Sequence, residues 1–430
     1  MRAVQELIKK LLLNLVVELK NLGAKVIYAD TSTILVATGK HGMRDALAYT
    51  DYILETLKKR ALFQWLSLVP ERAWYTLLFQ DRYNYLGLKA PLPAEVAASM
   101  SQFPGALSSG SRLLENDDIE ITSEVLRHPT FDFTLAITDF LPLALSDAFT
   151  SAIGEYLWHP WKEAVREALS SHQHKENTDY EADAKTDDIL EKLEEKQNKW
   201  LTQSLPSKIT EKLLKATKHI AMHIGSSDSE PSHAFPKRAG SYLTAEELGS
   251  PALAFAKSVC HFFSLDFHQK DAVRLLKKQL LRMLHVKEFG PDATWKDPCA
   301  SLVIPDVVCP SCQDCRELDL CRDPSLQHGD ISCSLCGALR DIDALEMKLI
   351  TNLQTKIESF IVQDLKCKKC GATSTDHLQR QCHFCGGQIA SSQPANLASR
   401  DIAIFGQVAE VQGMQTLQEI VNAIVAPYHK

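Results

Sequence analysis

The sequence predicts a mixed chain, α+β at its start and α-helical through its middle, closing on two four-cysteine modules joined by a helix. Three observations carry this. The first ninety residues switch between helical and β periods. Helical periods then dominate from about residue 209 to 284 and return in the tail. Eleven of the 12 cysteines fall between Cys299 and Cys385, in C-x2-C pairs.

Residues 2–22 carry apolar positions at Val4, Leu7, Ile8, Leu11, Leu12, Leu15, Leu19 and Leu22, an amphipathic helix ending at Gly23. Lys25–Tyr28 and Ile34–Thr38 are β-rich and flank Ala29-Asp30-Thr31-Ser32, which suits a hairpin turn. A second helix is expected over Met43–Lys59, with Leu47, Ile53, Leu54 and Leu57 on its apolar side. Phe63–Phe79 is aromatic and β-forming and reads as one or two strands. Helices on one face of an antiparallel sheet follow from that order.

Residues 91–130 read as a connector rich in Pro, Ser and Gly, and Phe131–Trp161 as a packed apolar stretch. The acidic run 171–188 reads as a solvated linker or a helix lead-in. Ile209, Leu213, Leu214, Ile220 and Ile224 mark a helix, and Gly225–Gly240 a loop. Ser250-Pro251 is a helix start, with Ser as N-cap and Pro at the first helical position. Val273, Leu276, Leu280 and Leu284 make a further helix, and Ile402–Val425 two helices meeting near Gly413.

The chain has 430 residues, 45% of them hydrophobic and 23% charged, which excludes a mostly disordered or collagen-like protein. A net charge of −7 argues against a chain that coats nucleic acid by general basicity. No apolar run approaches the roughly 18 residues that would span a bilayer, and Glu6, Lys9 and Lys10 interrupt any signal-peptide core. No membrane partner is expected. A reducing compartment follows, where clustered cysteines point to metal rather than disulfides.

Cys309-Pro-Ser-Cys312 and Cys333-Ser-Leu-Cys336 form one set of pairs, and Cys367-Lys-Lys-Cys370 and Cys382-His-Phe-Cys385 a second. A C-x2-C turn sets two thiolates on one side of the backbone, about 4 Å apart, as two bonds of a tetrahedral zinc centre require. Two facing turns close a four-thiolate site, and Gly337, Gly371 and Gly386 relieve the turns they follow. Four protein ligands leave no open coordination position, which favours structural over catalytic metal. Each site would supply on the order of 10 kcal/mol of folding free energy. Two zinc ions are expected. Four thiolates also hold a 4Fe-4S cluster, an alternative left open at the second site.

Cys315 also stands in C-x2-C relation to Cys312 and so competes for a place in the first site. Cys260, Cys299 and Cys321 read as structural thiols, and His328, His377 and His383 as surface histidines. Ile342, Leu345, Leu349, Leu353, Ile357, Phe360 and Ile361 form an amphipathic helix between the two sets, which makes them sequential modules rather than an interleaved cross-brace. From Trp295 to Ala390 there are 10 Lys+Arg and 13 Asp+Glu, a balance suited to protein docking. Lys366, Lys368 and Lys369 read there as a solvated face rather than a phosphate contact.

Several stretches resemble the C-terminal region of the DNA polymerase epsilon catalytic subunit, which is a B-family DNA polymerase. They are Arg316-Glu317-Leu318-Asp319-Leu320-Cys321-Arg322-Asp323, Lys296-Asp297-Pro298-Cys299, Pro251-Ala252-Leu253-Ala254-Phe255, Gln363-Asp364-Leu365 and Leu22-Gly23-Ala24-Lys25-Val26-Ile27-Tyr28-Ala29. The resemblance implies a degenerate polymerase palm/thumb remnant followed by two zinc modules. It places Cys309, Cys312, Cys333 and Cys336 in the first module and Cys367, Cys370, Cys382 and Cys385 in the second. The last pair departs from the family's C-x-C. The implied divisions are 1–95, inactive palm-like remnant; 96–250, helical connector or thumb-like region; 251–290, helical pair; 291–392, tandem zinc modules; and 393–430, C-terminal helices.

The implied function is non-catalytic: docking the second (B) subunit of the polymerase and the replicative helicase complex in the nucleus, with DNA reached through the parent holoenzyme. The parent family is a DNA-directed DNA polymerase, a nucleotidyltransferase. Active palms of that family carry Asp-Thr-Asp at such a hairpin, to hold the two metal ions of the reaction. Here the turn reads Asp30-Thr31-Ser32, and Ser32 supplies no carboxylate. No catalytic residue is assigned, and Asp30 is expected to serve the turn. The abrupt start suggests a segment of a longer polypeptide. The rival reading is a stand-alone zinc protein that binds nucleic acid directly.

Overall fold

The computed structural model describes residues 2–40, 43–90, 92, 129–173, 193–223, 234–323, 326, 331–362, 365–374, 381–391 and 395–426. Most of the expected 91–130 connector, the bulk of the acidic run and the start of the Gly225–Gly240 loop lie outside the described residues. The chain divides into two compact units, Met1–Ala234 with Gly249–Trp295, and Phe235–Leu248 with Lys296–Lys430.

The first unit opens with α1 (Arg2–Asn21). Gly23 ends it at φ 87°, while the amide of Ala24 donates to Leu19 O and that of Gly23 to Lys20 O. This left-handed stop satisfies carbonyls that the last turn would leave bare. β1 (Lys25–Ala29) and β2 (Ile34–Ala37) pair antiparallel, with Ala29 opposite Ile34. α2 (Met43–Lys58) closes over them. Leu15, Leu19, Ala24, Ile53, Leu57 and Phe63 form the core of this layer. Val4, Leu7, Ile8, Leu13 and Val17 of α1 are exposed, so only the C-terminal half of its apolar face is covered.

The strand expected from Phe63 begins ten residues later. Arg60–Leu66 folds into tight turns, with the amides of Phe63 and Gln64 donating to Arg60 O, and Phe63 drops into the α1–α2 core at 2% exposure. An aromatic residue can fill a core from a turn as well as from a strand, so composition alone misplaced the boundary. β3 (Ala73–Asp81), β4 (Asn84–Ala90) and β5 (Phe131–Leu135) then form an antiparallel sheet in that order. α3 (Leu143–Gln173) contains Pro160 and lays Trp161, Ala164 and Val165 against Leu88 of β4.

α4 (Leu193–Ser204) runs through a π-helical turn at Leu205–Ile209 into α5 (Thr210–His223). Pro206 sits in that turn, where the wider hydrogen-bond spacing accommodates an imino nitrogen. α6 (Pro251–Phe263) starts as expected: Ser250 Oγ accepts from the amide of Leu253. It is buried on nearly all sides, with Phe262 edge-on to Phe149 of α3 at 5.3 Å. α7 (Lys270–Met283) packs against it.

In the second unit, Phe235–Leu248 ends in a single helical turn, Ala245–Leu248. β6 (Val303–Val308) and β7 (Cys315–Asp319) pair antiparallel. α8 (Ile342–Ile361) follows, capped by Asp341, whose side chain accepts from the amides of Asp343 and Ala344. β8 (Leu365–Cys367), β9 (Thr373–Ser374) and β10 (Ile389–Ser391) form a small sheet ordered β10-β8-β9. α9 (Ala395–Gln412) and α10 (Gln415–Val425) turn at Gly413, φ 68°, and pack with α8. Leu349, Phe405, Val408 and Leu417 are fully buried. No described helix is long and apolar enough to cross a membrane.

Candidate metal centres

Four copies of one backbone turn build both centres. In each, the first cysteine of a C-x2-C pair donates its amide to the carbonyl five residues on: Cys309 to Asp314, Cys333 to Ala338, Cys367 to Ala372 and Cys382 to Gly387. Each also accepts at its carbonyl from the amide four residues on, from Gln313, Gly337, Gly371 and Gly386. That fourth residue takes φ of +62°, +72°, +73° and +66° in turn. Three of the four are the glycines the sequence marked. The first turn puts Gln313 where the others put glycine, a departure readable only by aligning the four pairs on one another. Gln313 Nε2 donates to Pro310 O at 3.3 Å.

The turns meet two by two. Cys309, Cys312, Cys333 and Cys336 bring their sulfurs within 4.8 Å of one another, and so do Cys367, Cys370, Cys382 and Cys385. Across the first centre, Cys309 Sγ lies 3.6 Å from Cys336 Sγ and Cys312 Sγ 3.7 Å from Cys333 Sγ. Across the second, the distances are 3.4 Å for Cys367–Cys385 and 3.6 Å for Cys370–Cys382. Four sulfurs at that spacing suit the soft, tetrahedral donor set of zinc or of an iron–sulfur cluster. The C-x2-C of the last pair closes the second group as tightly as the first. Each group draws on one stretch of chain, so the two are sequential.

The turns also prepare the thiols for metal. Backbone N–H groups of Cys336 and Leu335 pull the Cys333 thiol from 9.0 down to about 6, and those of Cys370 and Lys369 do the same for Cys367. Cys385 feels the Gly387 N–H in that direction, but hydrogen bonds shared with the thiols of Cys367 and Cys370 leave it pushed up to about 12. A dication that replaces the shared protons removes that conflict.

Cys315 lies outside both groups, on β7 opposite Val308. Cys260, Cys299 and Cys321 are buried, and burial raises all three thiols. His383 is exposed, while His328 and His377 lie outside the described residues.

A polar scaffold holds the first centre. Asp319 is 3% exposed and accepts from Ser301 Oγ at 2.7 Å and from the amides of Leu302, Cys321 and Arg322 at 3.1–3.2 Å. Arg322 reaches Asp297 Oδ2 at 2.6 Å and Cys299 O at 3.0 Å. Arg316 bridges the two turns, donating to Asp314 Oδ2 at 2.5 Å and to Ser334 Oγ. The stretches 296–299 and 316–323 are therefore one hydrogen-bonded cluster. Residue types alone did not single out Asp319, although an Asp followed by amides two and three residues on is a recognisable turn signal.

At the β1–β2 turn, Asp30 accepts from Tyr28 Oη, from the amide and hydroxyl of Ser32 and from the amide of Thr33, at 2.6–2.8 Å. Burial works against its charge, but these donors outweigh it and hold the carboxyl below its ordinary range. Its oxygens are occupied in shaping the turn.

Three family models match this chain. A domain of unknown function (DUF1744) covers residues 1–88, and two zinc finger domains of DNA polymerase-epsilon cover residues 292–359 and 361–419. The two zinc finger matches contain one sulfur group each, which supports metal binding. Curated relatives include a DNA polymerase epsilon catalytic subunit of Arabidopsis thaliana, 27% identical over 98% of this chain and 17% of that protein. The corresponding protein of Dictyostelium discoideum is 26% identical over 98% of this chain and 21% of the relative. That of Saccharomyces cerevisiae is 26% identical over 96% and 17%. The chain thus spans about a fifth or less of the length of these relatives.

Proposed function

Because this chain is a relative of the C-terminal region of DNA polymerase epsilon catalytic subunits, we propose that it is a non-catalytic assembly module of such an enzyme. It acts in nuclear DNA replication. Its two centres hold zinc through Cys309, Cys312, Cys333 and Cys336, and through Cys367, Cys370, Cys382 and Cys385. The metal is structural: it ties together loops whose apolar burial is too small to hold them, and the four sulfurs leave no position for a reacting water. The modules and the helices packed on them dock the second subunit and the replicative helicase. The layer built from α1, β1, β2 and α2 is a palm remnant whose hairpin has lost its chemistry, and the later helices are the thumb-like part. The divisions at 95, 250, 290 and 392 mark these parts.

The single observation that carries this reading is the pair of closed four-sulfur groups, each inside a zinc finger domain match. Two features support the non-catalytic part. Asp30 is saturated by turn hydrogen bonds, and Ser32 stands where a second carboxylate would be needed.

Co-purification of the second subunit with the chain, before and after chelation, tests the docking role. Metal analysis should return two zinc per chain and no iron, with no visible iron–sulfur absorption. Binding that survives loss of both metals would overturn the assembly role, and primer extension by the isolated chain would overturn the non-catalytic one.

A further inference from the structure

The two metal modules carry charges of opposite sign, which the regional balance averages away. Residues 295–340 hold four Lys+Arg against seven Asp+Glu, whereas residues 365–390 hold four against one. Three of the four are Lys366, Lys368 and Lys369, all exposed, and no ion pair is formed by any of them among the described residues. Lys366 lies in β8 and Lys368 opens the turn that follows it, one on either side of Cys367. Lys369 sits inside the first turn of the centre.

The facing turn adds an aromatic ring. Phe384, between Cys382 and Cys385, is 85% exposed, in a module whose small sheet would gain by burying it. The two turns are in direct contact. Cys385 Sγ lies 3.4 Å from Cys367 Sγ, the amide of Lys368 donates to Gln388 O at 3.0 Å, and a Cβ on Gly387 would meet Lys369 Cβ at 2.7 Å. Ala390 lies opposite Lys366 in the ladder. Three exposed cations, with no ion pair among the described residues, and one solvent-facing ring thus share one small surface built on the four-sulfur group. The first module has no such combination: Leu335 occupies the position equivalent to Phe384, and Ser311 that of Lys369.

We infer that the second metal module is a binding site for single-stranded nucleic acid. Lys366, Lys368 and Lys369 contact successive phosphates, and Phe384 offers its face to a base. Backbone neutralisation by lysines, combined with an aromatic stacking platform, is how single strands are held without sequence preference. A duplex keeps its bases stacked inside and leaves the ring without a partner. This activity is separate from the docking role proposed above and does not need it.

The test uses the full chain loaded with zinc, titrated into a fluorescein-labelled 20-nucleotide oligothymidylate or a duplex of equal length, with polarisation as readout. Three phosphate contacts predict a log–log salt slope of about −2 between about 50 and about 200 mM salt. Replacing all three lysines by Gln should weaken binding at the lower salt about tenfold or more and flatten that slope. Phe384→Ala should weaken binding roughly 5- to 100-fold with the slope unchanged, and Phe384→Leu should resemble it if the ring rather than its volume matters. Each variant must retain two metals and the parent's thermal transition. Four binding results would overturn the inference. They are no binding at the lower salt, equal binding by the lysine variant, binding of the duplex as tight as binding of the single strand, or displacement of the oligonucleotide by polyglutamate as effectively as by unlabelled oligothymidylate. The last would make this a surface for an acidic protein. Loss of metal in the lysine variant would instead make the lysines counter-charges of the thiolate centre and would also overturn it.

Discussion

Glu346, on α8, accepts a hydrogen bond at 2.8 Å from the backbone amide of Leu417, in the first turn of α10 and 71 residues away. Met414, at the N-cap of α10, has no side chain able to cap, so the carboxylate of a neighbouring helix takes that role. Both Glu346 and Leu417 are buried, and the pair fixes the start of the last helix against the helix that links the two metal modules. Glu346→Ala should cost about 1–2 kcal/mol locally, the usual worth of a cap with a favourable helix dipole. Glu346→Gln keeps an acceptor and should cost less. Hydrogen exchange of peptides covering 415–425 reads this directly. Exchange about tenfold faster in the Ala variant is expected, and unchanged protection would show that the cap is not holding the helix.

The four metal turns make a controlled comparison of backbone strain. A Cβ on Gly337 would meet nothing within 4 Å, so Gly337→Ala isolates the cost of φ near +72°. That cost is about 1–2 kcal/mol for a residue with a Cβ. Gln313 already bears it at φ 62°, and Gln313→Gly should recover up to about 1 kcal/mol after the extra flexibility of glycine in the unfolded chain is set against it. Chelator competition should therefore rank the first centre as Gln313→Gly tighter than parent, and parent tighter than Gly337→Ala. The opposite order would mean that the Gln313 side-chain bond to Pro310 outweighs the strain.

Asp319 is the hub of the scaffold behind the first centre, and its two oxygens serve four donors. Asp319→Ala strands the buried amides of Leu302 and Cys321 and should destabilise the module by about 3 kcal/mol. Asp319→Asn keeps Oδ1 for the three amides and lets Ser301 reverse its hydroxyl, so about 1 kcal/mol is expected. Zinc content after dialysis against a weak chelator should fall at the first centre in the Ala variant and not at the second. Equal loss at both would assign Asp319 a wider role.

The residues that were legible in the sequence are those whose chemistry is local. C-x2-C spacing announces two sulfurs on one side of a turn, Ser250-Pro251 announces a helix start, and Gly23 and Gly413 announce stops. Each needs only neighbours a few positions away. Phe63 was misplaced because its apolar and β-forming character is equally consistent with a strand and with a buried turn, and only the α1–α2 core decides between them. Glu346 was not legible as a cap at all. It reads as one more charge on an amphipathic helix until the fold delivers a bare helix N-terminus 71 residues downstream. The regional charge balance is coarse in a different way: a sum over residues 295–390 averages away a reversal of sign between the two modules.

Acidification tests the thiol chemistry of both centres. In the metal-free fold, turn amides hold the thiols of Cys333 and Cys367 at about 6, against an ordinary 9.0. A depressed pKa stabilises the fold fully above the ordinary value, and that contribution fades as pH falls from 9 and is gone below about 6. Bound metal competes with the same protons and moves the loss to lower pH. The loaded chain should therefore keep its metal at pH 7 and release it only below about pH 6, with loss of the strands β6 to β10. Metal loading near neutral pH should also release protons, because Cys312 and Cys385 sit at about 12 when the sulfurs share protons. A zinc indicator dye followed together with circular dichroism over pH 8 to 3 reads the first expectation, and loading in weakly buffered solution with a pH indicator reads the second. Release already complete at pH 7.5, or loading without proton release, would show that the turn amides do not prepare the thiols as described.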